Sequence, residues 1–311
     1  MTDTISIHRC CGPDSHNRRH QGRIVESPTY TRGACAGPRF TSHVGCAASG
    51  LVAEDRLTRP EQWEQHWSSI PLPYRIDLRS YRWESYDRLL RRLVTPGPGR
   101  FLEVGCGACQ WLDYFQRQFR YEVYGLDYSA SACRIGRANL DLLGTRASVV
   151  CGDAMEPPFS PGSFDVVFSD GVIEHFRDYA AVLRAMAELV RPGGILIATL
   201  PNFAGWFGAV RKRLDPELFD MHEPISAAAL GSAIAGLHFE NVEVGHLGSF
   251  RFPYSAIFEG TSFRRYGLAP IRLAGRVLDR LLRTAYRLAG RGIESDWLSS
   301  ELYAVGRRPA L

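Results

Sequence analysis

Two periods of apolar spacing alternate along this chain, and the alternation predicts its architecture. Short, nearly continuous apolar runs at Arg100–Val104, Tyr121–Leu126, Ala147–Cys151, Phe164–Ser169, Gly194–Leu200, His238–Val244 and Glu301–Gly306 read as strands. Between them, Trp111–Phe119, Ser129–Leu143 and Tyr179–Val190 space their apolar residues as a helix with one buried face does. Pro192, Gly193 and Gly194 are expected to stop the last of these, and Ser226 to cap a helix running to Leu237. A further helix at Tyr81–Leu93 ends at Pro96-Gly97-Pro98-Gly99, just before the first strand. The pattern predicts a Rossmann-like, doubly wound α/β sheet of seven strands, mostly parallel with the last strand antiparallel, and helices on both faces.

Outside this region the pattern changes. Residues 1–57 are rich in Gly, Ser, Thr, Arg and His, with too little apolar surface to offset ordering entropy, and are expected to be a disordered tail before a domain at 58–311. Residues 249–298 separate the last two strands, where a short hairpin would suffice, and are expected to be a helical insertion. Within it Ile271, Val277, Leu278, Leu281, Leu282 and Leu288 make an apolar stripe, and Arg272, Arg276, Arg280, Arg283 and Arg287 a basic one. This basic amphipathic helix, 271–288, could meet an anionic membrane surface, an acidic carrier protein or a second subunit, or be an ordinary surface helix with solvated arginines.

Charge and cysteine content narrow the class. A formal charge of +4 over 311 residues gives no reason to expect a nucleic-acid partner. No apolar run approaches the roughly 20 residues that span a bilayer, and no secretory h-region opens the chain, so a cytoplasmic location is expected. The eight cysteines do not suggest a disulfide scaffold, and Cys106, Cys109, Cys133 and Cys151 are expected to be reduced. Cys10, Cys11, Cys35 and Cys46 lie with four histidines in the tail, but no C-x-x-C pair completes a zinc pattern there, so no metal site is expected.

In such a sheet, ligands bind beyond the carboxyl ends of the strands. The first strand runs into Glu103-Val104-Gly105-Cys106-Gly107, where glycines allow a tight turn and close approach of backbone to ligand. Asp127 ends the second, 22 residues after Gly105, the usual distance for a carboxylate that accepts from ribose hydroxyls. Both NAD and S-adenosylmethionine (SAM) carry such a ribose. Glu103, Asp127, Asp153 and Asp170 end successive strands, and that acidic ring favours the sulfonium and ammonium of SAM over a pyrophosphate. The loop also lacks the third glycine of the dinucleotide pattern.

With these motifs in order, followed by Phe164-Asp165-Val166-Val167, Glu174-His175 and Leu189-Val190-Arg191-Pro192-Gly193-Gly194, residues from about 80 to 306 resemble the class I SAM-dependent methyltransferases. The resemblance is to the small-molecule branch related to quinone-biosynthesis methyltransferases. It implies that Gly105 and Gly107 lie against the methionine and ribose of SAM and that Glu103 holds its amino group. By the same resemblance Asp127 takes the ribose hydroxyls, Asp153 and Ala154 the adenine, and Asp170 and Gly171 line the methionine end. Cys109 stands where the family usually has another glycine, and is expected to narrow the space beside the methionine.

Methyl transfer needs an aligned nucleophile and the exclusion of water, with a base only for some acceptors. His222, in the connection after the fifth strand and near Phe203, Trp206, Phe207 and Phe219, is the first candidate for base or acceptor contact, and His175 the second. Trp63, Trp67, Tyr74 and Tyr81 could form a lid over the cofactor. The leading reading is a methyltransferase acting on an O, N or C nucleophile of a small molecule. The alternatives are a SAM-binding scaffold or regulator of the same fold, and a nicotinamide-dependent oxidoreductase.

Overall fold

In the computed structural model, residues 55–68, 70–248, 269–290, 292 and 294–310 are described. In chain order they form α1 (Pro60–Ser68), α2 (Tyr81–Leu93), β1 (Arg100–Val104), α3 (Gln110–Phe119), β2 (Glu122–Asp127), α4 (Ala130–Leu143), β3 (Ala147–Cys151), β4 (Phe164–Asp170), a 3-10 turn (Ile173–His175) and α5 (Tyr179–Leu189). There follow β5 (Val190–Pro201), α6 (Trp206–Leu214), α7 (Pro216–Phe219), α8 (Ala227–Ala235), β6 (Glu240–Leu247), α9 (Ala269–Ala289) and β7 (Glu301–Arg307).

The seven strands form one sheet in the order β3-β2-β1-β4-β5-β7-β6. All neighbours from β3 to β5 run parallel, whereas β7 is antiparallel to both β5 and β6. The order reverses at β1, between β2 and β4, so the crevice beyond β1 is where a ligand belongs.

Successive residues of a strand face opposite sides, and each side carries its own core. Leu102, Val167 and Leu196 pack with Leu183, Met186 and Leu230 on one face. Phe101, Phe168 and Ile197 pack with Trp111, Phe115, Tyr86 and Leu90 on the other. The second core is aromatic: the Phe101 and Phe115 rings stack, and Trp111 meets Phe168 edge to face.

The caps form as expected. Ser129 and Ser226 accept from the Ala132 and Ala229 N–H groups, opening α4 and α8. The Arg191-Pro192-Gly193-Gly194 stretch differs from expectation. Rather than lying outside the strand it enters β5 as an irregularity: Phe164 faces Val190, but Val166 faces Ile195, and Gly193 takes φ +74° where the chain bends.

Asp55, Arg56 and Leu57, placed in the tail by composition, are paired to the body. The Leu57 N–H donates to the His175 carbonyl and the Arg177 N–H to that of Asp55. The rest of the expected tail, and 249–268 of the insertion, lie outside the described residues. The helix expected at 271–288 is α9, held to the body by buried Tyr286 and by Arg287, which pairs with Glu84 at 2.9 Å and donates to the Arg79 carbonyl.

Candidate active site

The turn after β1 is fixed by its neighbour strand. The Gly105 and Cys106 N–H groups share the Leu126 carbonyl, and the Asp127 carboxylate accepts from the Gly107 and Ser129 N–H groups, both at 2.9 Å. The two glycines are sterically required: a Cβ on Gly105, at φ +75°, would stand 2.3 Å from Val172, and one on Gly107 2.2 Å from the Trp67 ring. Asp127 thereby holds the loop, and its open lone pairs are what remains for a ligand.

Cys109 does not narrow this space. It caps α3 in a left-handed conformation (φ 60°) and turns its sulfur toward α4, where Gly136 leaves room: a Cβ there would lie 2.4 Å from Sγ. The substitution is absorbed behind the loop rather than in front of it.

Beyond the loop lies an open-mouthed cavity of about 850 Å³, including the space at its mouth. Of the residues expected at the site, Glu103, Gly105, Asp127, Ala154, Asp170, Gly171 and His175 line it; Gly107, Asp153 and His222 do not. Gly107 is covered by Trp67. Asp153 pairs instead with Arg56, whose guanidinium lies 4.5 Å from the Tyr128 ring centre and 4.9 Å from that of Phe176. Asp170 is a scaffold as well as a wall, accepting from Tyr86 Oη, Trp111 Nε1 and Thr199 Oγ1.

Glu103 is different. It is buried, and its Oε2 has no partner. Burial first, then Cys109, Asp170 and Asp127, push its carboxyl well above the usual carboxylate range. A buried acceptor left unmade costs about 1–3 kcal/mol, which a bound cationic donor would recover. The guanidinium on the described lining, Arg56, is already paired, so the cavity suits an ammonium or sulfonium better than a diphosphate.

Helix α1 walls the cavity on one side with Trp63, His66 and Trp67. Trp63 donates to Thr58 Oγ1 and stacks on Trp67, and Glu64 accepts from the Ser129 hydroxyl and the Ser131 N–H, tying α1 to the start of α4. Of the aromatics expected as a lid, Trp63 and Trp67 are in place. Tyr74 is not on the lining; Asn139 grips its backbone instead. The Tyr81 side chain lies outside what is described. Arg56 was not legible as a site residue, because it lies in the stretch whose composition reads as tail; Thr58, Gln110 and Tyr128 carried no motif.

His175 and His222 meet at the far end. Their ring centres are 4.5 Å apart, and the Trp63 ring stands edge-on to His175 at 4.9 Å. The segment carrying His222 is laced to the 3-10 turn: the Glu223 N–H donates to the Glu174 carbonyl, and His175 Nδ1 bonds the Met221 carbonyl at 2.8 Å. Burial lowers His175 to about 3 and His222 to about 4, so both rings are neutral near pH 7. Burial raises Glu174 to about 8.

Residues 102–198 match the methyltransferase domain family. The demethylmenaquinone methyltransferase of Geobacillus kaustophilus is 30% identical over 133 residues, 42% of this chain and 56% of that protein. That of Listeria welshimeri is 33% identical over 111 residues, 34% of this chain and 47% of that one. The chain thus spans about half the length of these curated relatives. Among solved structures, the [4+2]-cyclase SpnF superposes with a TM-score of 0.55 at 19% identity, covering 81% of this chain and 93% of that one. Haemonchus contortus phosphoethanolamine N-methyltransferase 2, in complex with SAM, gives 0.50 at 17%, covering 73% and 52%. At such identities the structures show the fold alone, which is the Rossmann-like methyltransferase fold expected for this chain.

Proposed function

We propose that this protein binds SAM in the cavity beyond β1 and transfers its methyl group to an O, N or C nucleophile of a small molecule. The observation that carries the proposal is the buried, unpartnered Glu103 oxygen beside a loop locked by Asp127, in a cavity rimmed by acids. SAM supplies an electrophilic methyl on a sulfonium; the chain's own residues hold, orient and shield it. Glu103 receives the ammonium and Asp127 the ribose hydroxyls, while Gly152 and Ala154 on the lining face the adenine. Asp153, off the lining and paired with Arg56, holds that guanidinium in the wall rather than meeting the base. His175, bordering the cavity, and His222 behind it serve the acceptor as neutral imidazoles.

The scaffold reading loses its ground, since Cys109 turns away from the cavity. Calorimetric titration with SAM and, separately, NAD tests the assignment: micromolar SAM binding, lost in Asp127→Ala, supports it, and tighter NAD than SAM binding overturns it.

Helix α9 offers a second, exposed surface. Leu273, Leu281 and Leu288 are 63%, 63% and 84% exposed, beside an exposed Arg280. That pairing favours an anionic membrane surface as partner. None of the described helices is long and apolar enough to cross a membrane. Cosedimentation with anionic vesicles but not with neutral ones is expected; binding to neither would favour a carrier protein or a second subunit.

A further inference from the structure

Glu174, His175 and His222 form a cluster that methyl transfer from SAM does not by itself explain. A carboxylate oxygen and one ring nitrogen from each histidine lie within 4.8 Å of one another. Glu174 and His175 are buried and His222 is half-buried. Each imidazole is oriented by a backbone carbonyl: His175 Nδ1 bonds that of Met221 at 2.8 Å, and His222 Nδ1 that of Leu218 at 2.7 Å. A carbonyl only accepts, so each Nδ1 carries the hydrogen and each Nε2 keeps a lone pair. Glu174 Oε2 is buried with no partner.

The cluster is therefore rich in acceptors and poor in donors. A proton on Glu174 could serve one imidazole nitrogen and would leave the other unpaired. A single cation would serve all three groups. Imidazoles tied by Nδ1 to backbone carbonyls are the arrangement in which metal-ligating histidines are ordinarily held. Two imidazoles and one carboxylate also make a donor set typical of zinc and related divalent transition ions. In a tetrahedral site with bonds of about 2.1 Å, ligand atoms stand about 3.4 Å apart. The ligand atoms lie within 4.8 Å of one another, so binding would draw them together.

We infer that Glu174, His175 and His222 bind a divalent transition-metal ion of the zinc class, with a coordination position left open toward the cavity that His175 borders. The binding stands independently of methyl transfer; only its use rests on that reading. There, a hydroxyl of the acceptor taking the open position would release its proton to water more readily, and the histidines would act as ligands rather than as a base.

The full-length protein, stripped with a chelator and dialysed, is titrated with Co²⁺ as a spectroscopic probe and with Zn²⁺ in competition with a chromophoric chelator. The expected result is one equivalent with a tetrahedral Co²⁺ spectrum free of thiolate charge-transfer absorption. Affinity should fall at least ~10-fold in both Glu174→Gln and His222→Ala. SAM titration of the same variants reports whether they remain folded, and the near-isosteric Glu174→Gln decides if His222→Ala does not. No Co²⁺ bound to the wild type would overturn the inference. So would binding that shows thiolate absorption, as the tail cysteines would give, and survives in the variants. Metal binding that is lost in the variants, in a wild type that fails to bind SAM, would leave this site standing and remove the methyl-transfer reading.

Discussion

The two ends of the cavity are built differently. At the end proposed for SAM, the Gly105, Cys106 and Gly107 N–H groups are paired within the fold, and the space for a Cβ on either glycine is taken. Glu103 Oε2 is buried there without a partner, as is Gln110 Oε1 at the start of α3. At the end proposed for the acceptor, the histidines sit on a 3-10 turn and on a connection made of the short helices α6 and α7, laced together mainly through backbone carbonyls. Backbone lacing fixes where a side chain stands without specifying what lies beside it. The first end is suited to one invariant ligand, and the second can vary its walls while keeping its reactive groups in place.

If that contrast is right, the largest effect belongs to the loop. Asp127→Ala removes two hydrogen bonds to a carboxylate at about 1.5–3 kcal/mol each, and SAM affinity measured by calorimetry should fall at least ~100-fold. An unchanged affinity would mean that the loop holds its shape without this carboxylate. Gly136→Ala tests the rear of the same loop. Its Cβ would meet Cys109 Sγ at 2.4 Å and the Gly107 carbonyl oxygen at 2.7 Å, so overpacking should cost about 1–3 kcal/mol in chemical denaturation. Gly136→Ala combined with Cys109→Gly should recover part of that loss.

Glu103→Gln should weaken SAM by roughly 10-fold and also change its pH dependence. In the folded protein Glu103 keeps its proton above the ordinary carboxylate range, whereas the unfolded chain gives it up. A cationic ligand favours the ionised form, so wild-type affinity should rise with pH until the carboxyl ionises, and the variant should show no such rise. By the same linkage, stability without ligand should decline as pH rises above the ordinary carboxylate pKa, and less so in Glu103→Gln. The smallest effect on stability is expected on the exposed face of α9. Leu281→Glu and Leu288→Glu replace exposed side chains and should move stability by no more than ~0.5 kcal/mol while reducing anionic-vesicle binding.

The sheet was readable because burial on both faces makes its strands nearly continuous apolar runs: β1 and β3 begin and end where the pattern places them, and the other strands are within a few residues at most boundaries. The acids at the strand ends were readable because position alone defines them. Helix α1, with nine residues of mixed character, gave no clear period, and Arg56 functions through a pairing 97 residues away in sequence. Cys109 was misread for a related reason, since the space that receives its sulfur belongs to Gly136 on another helix. The meeting of Glu174 with the two histidines depends on the 218–223 connection folding back onto the 3-10 turn, which no local pattern announces.

Strand β7 has a consequence for the birth of the protein on the ribosome. It lies between β5 and β6, and seven register pairs join it to β5 from Ile195↔Arg307 to Pro201↔Glu301. Residues 190–247 must therefore emerge, and then the whole stretch from 248 to 300, before the wedge that joins those two strands exists. Until then β5 has an unpaired backbone edge, and β6 has no strand beside it. Nascent chains arrested short of residue 301 should be strong chaperone clients, and release of the last strand should be the event that closes the sheet.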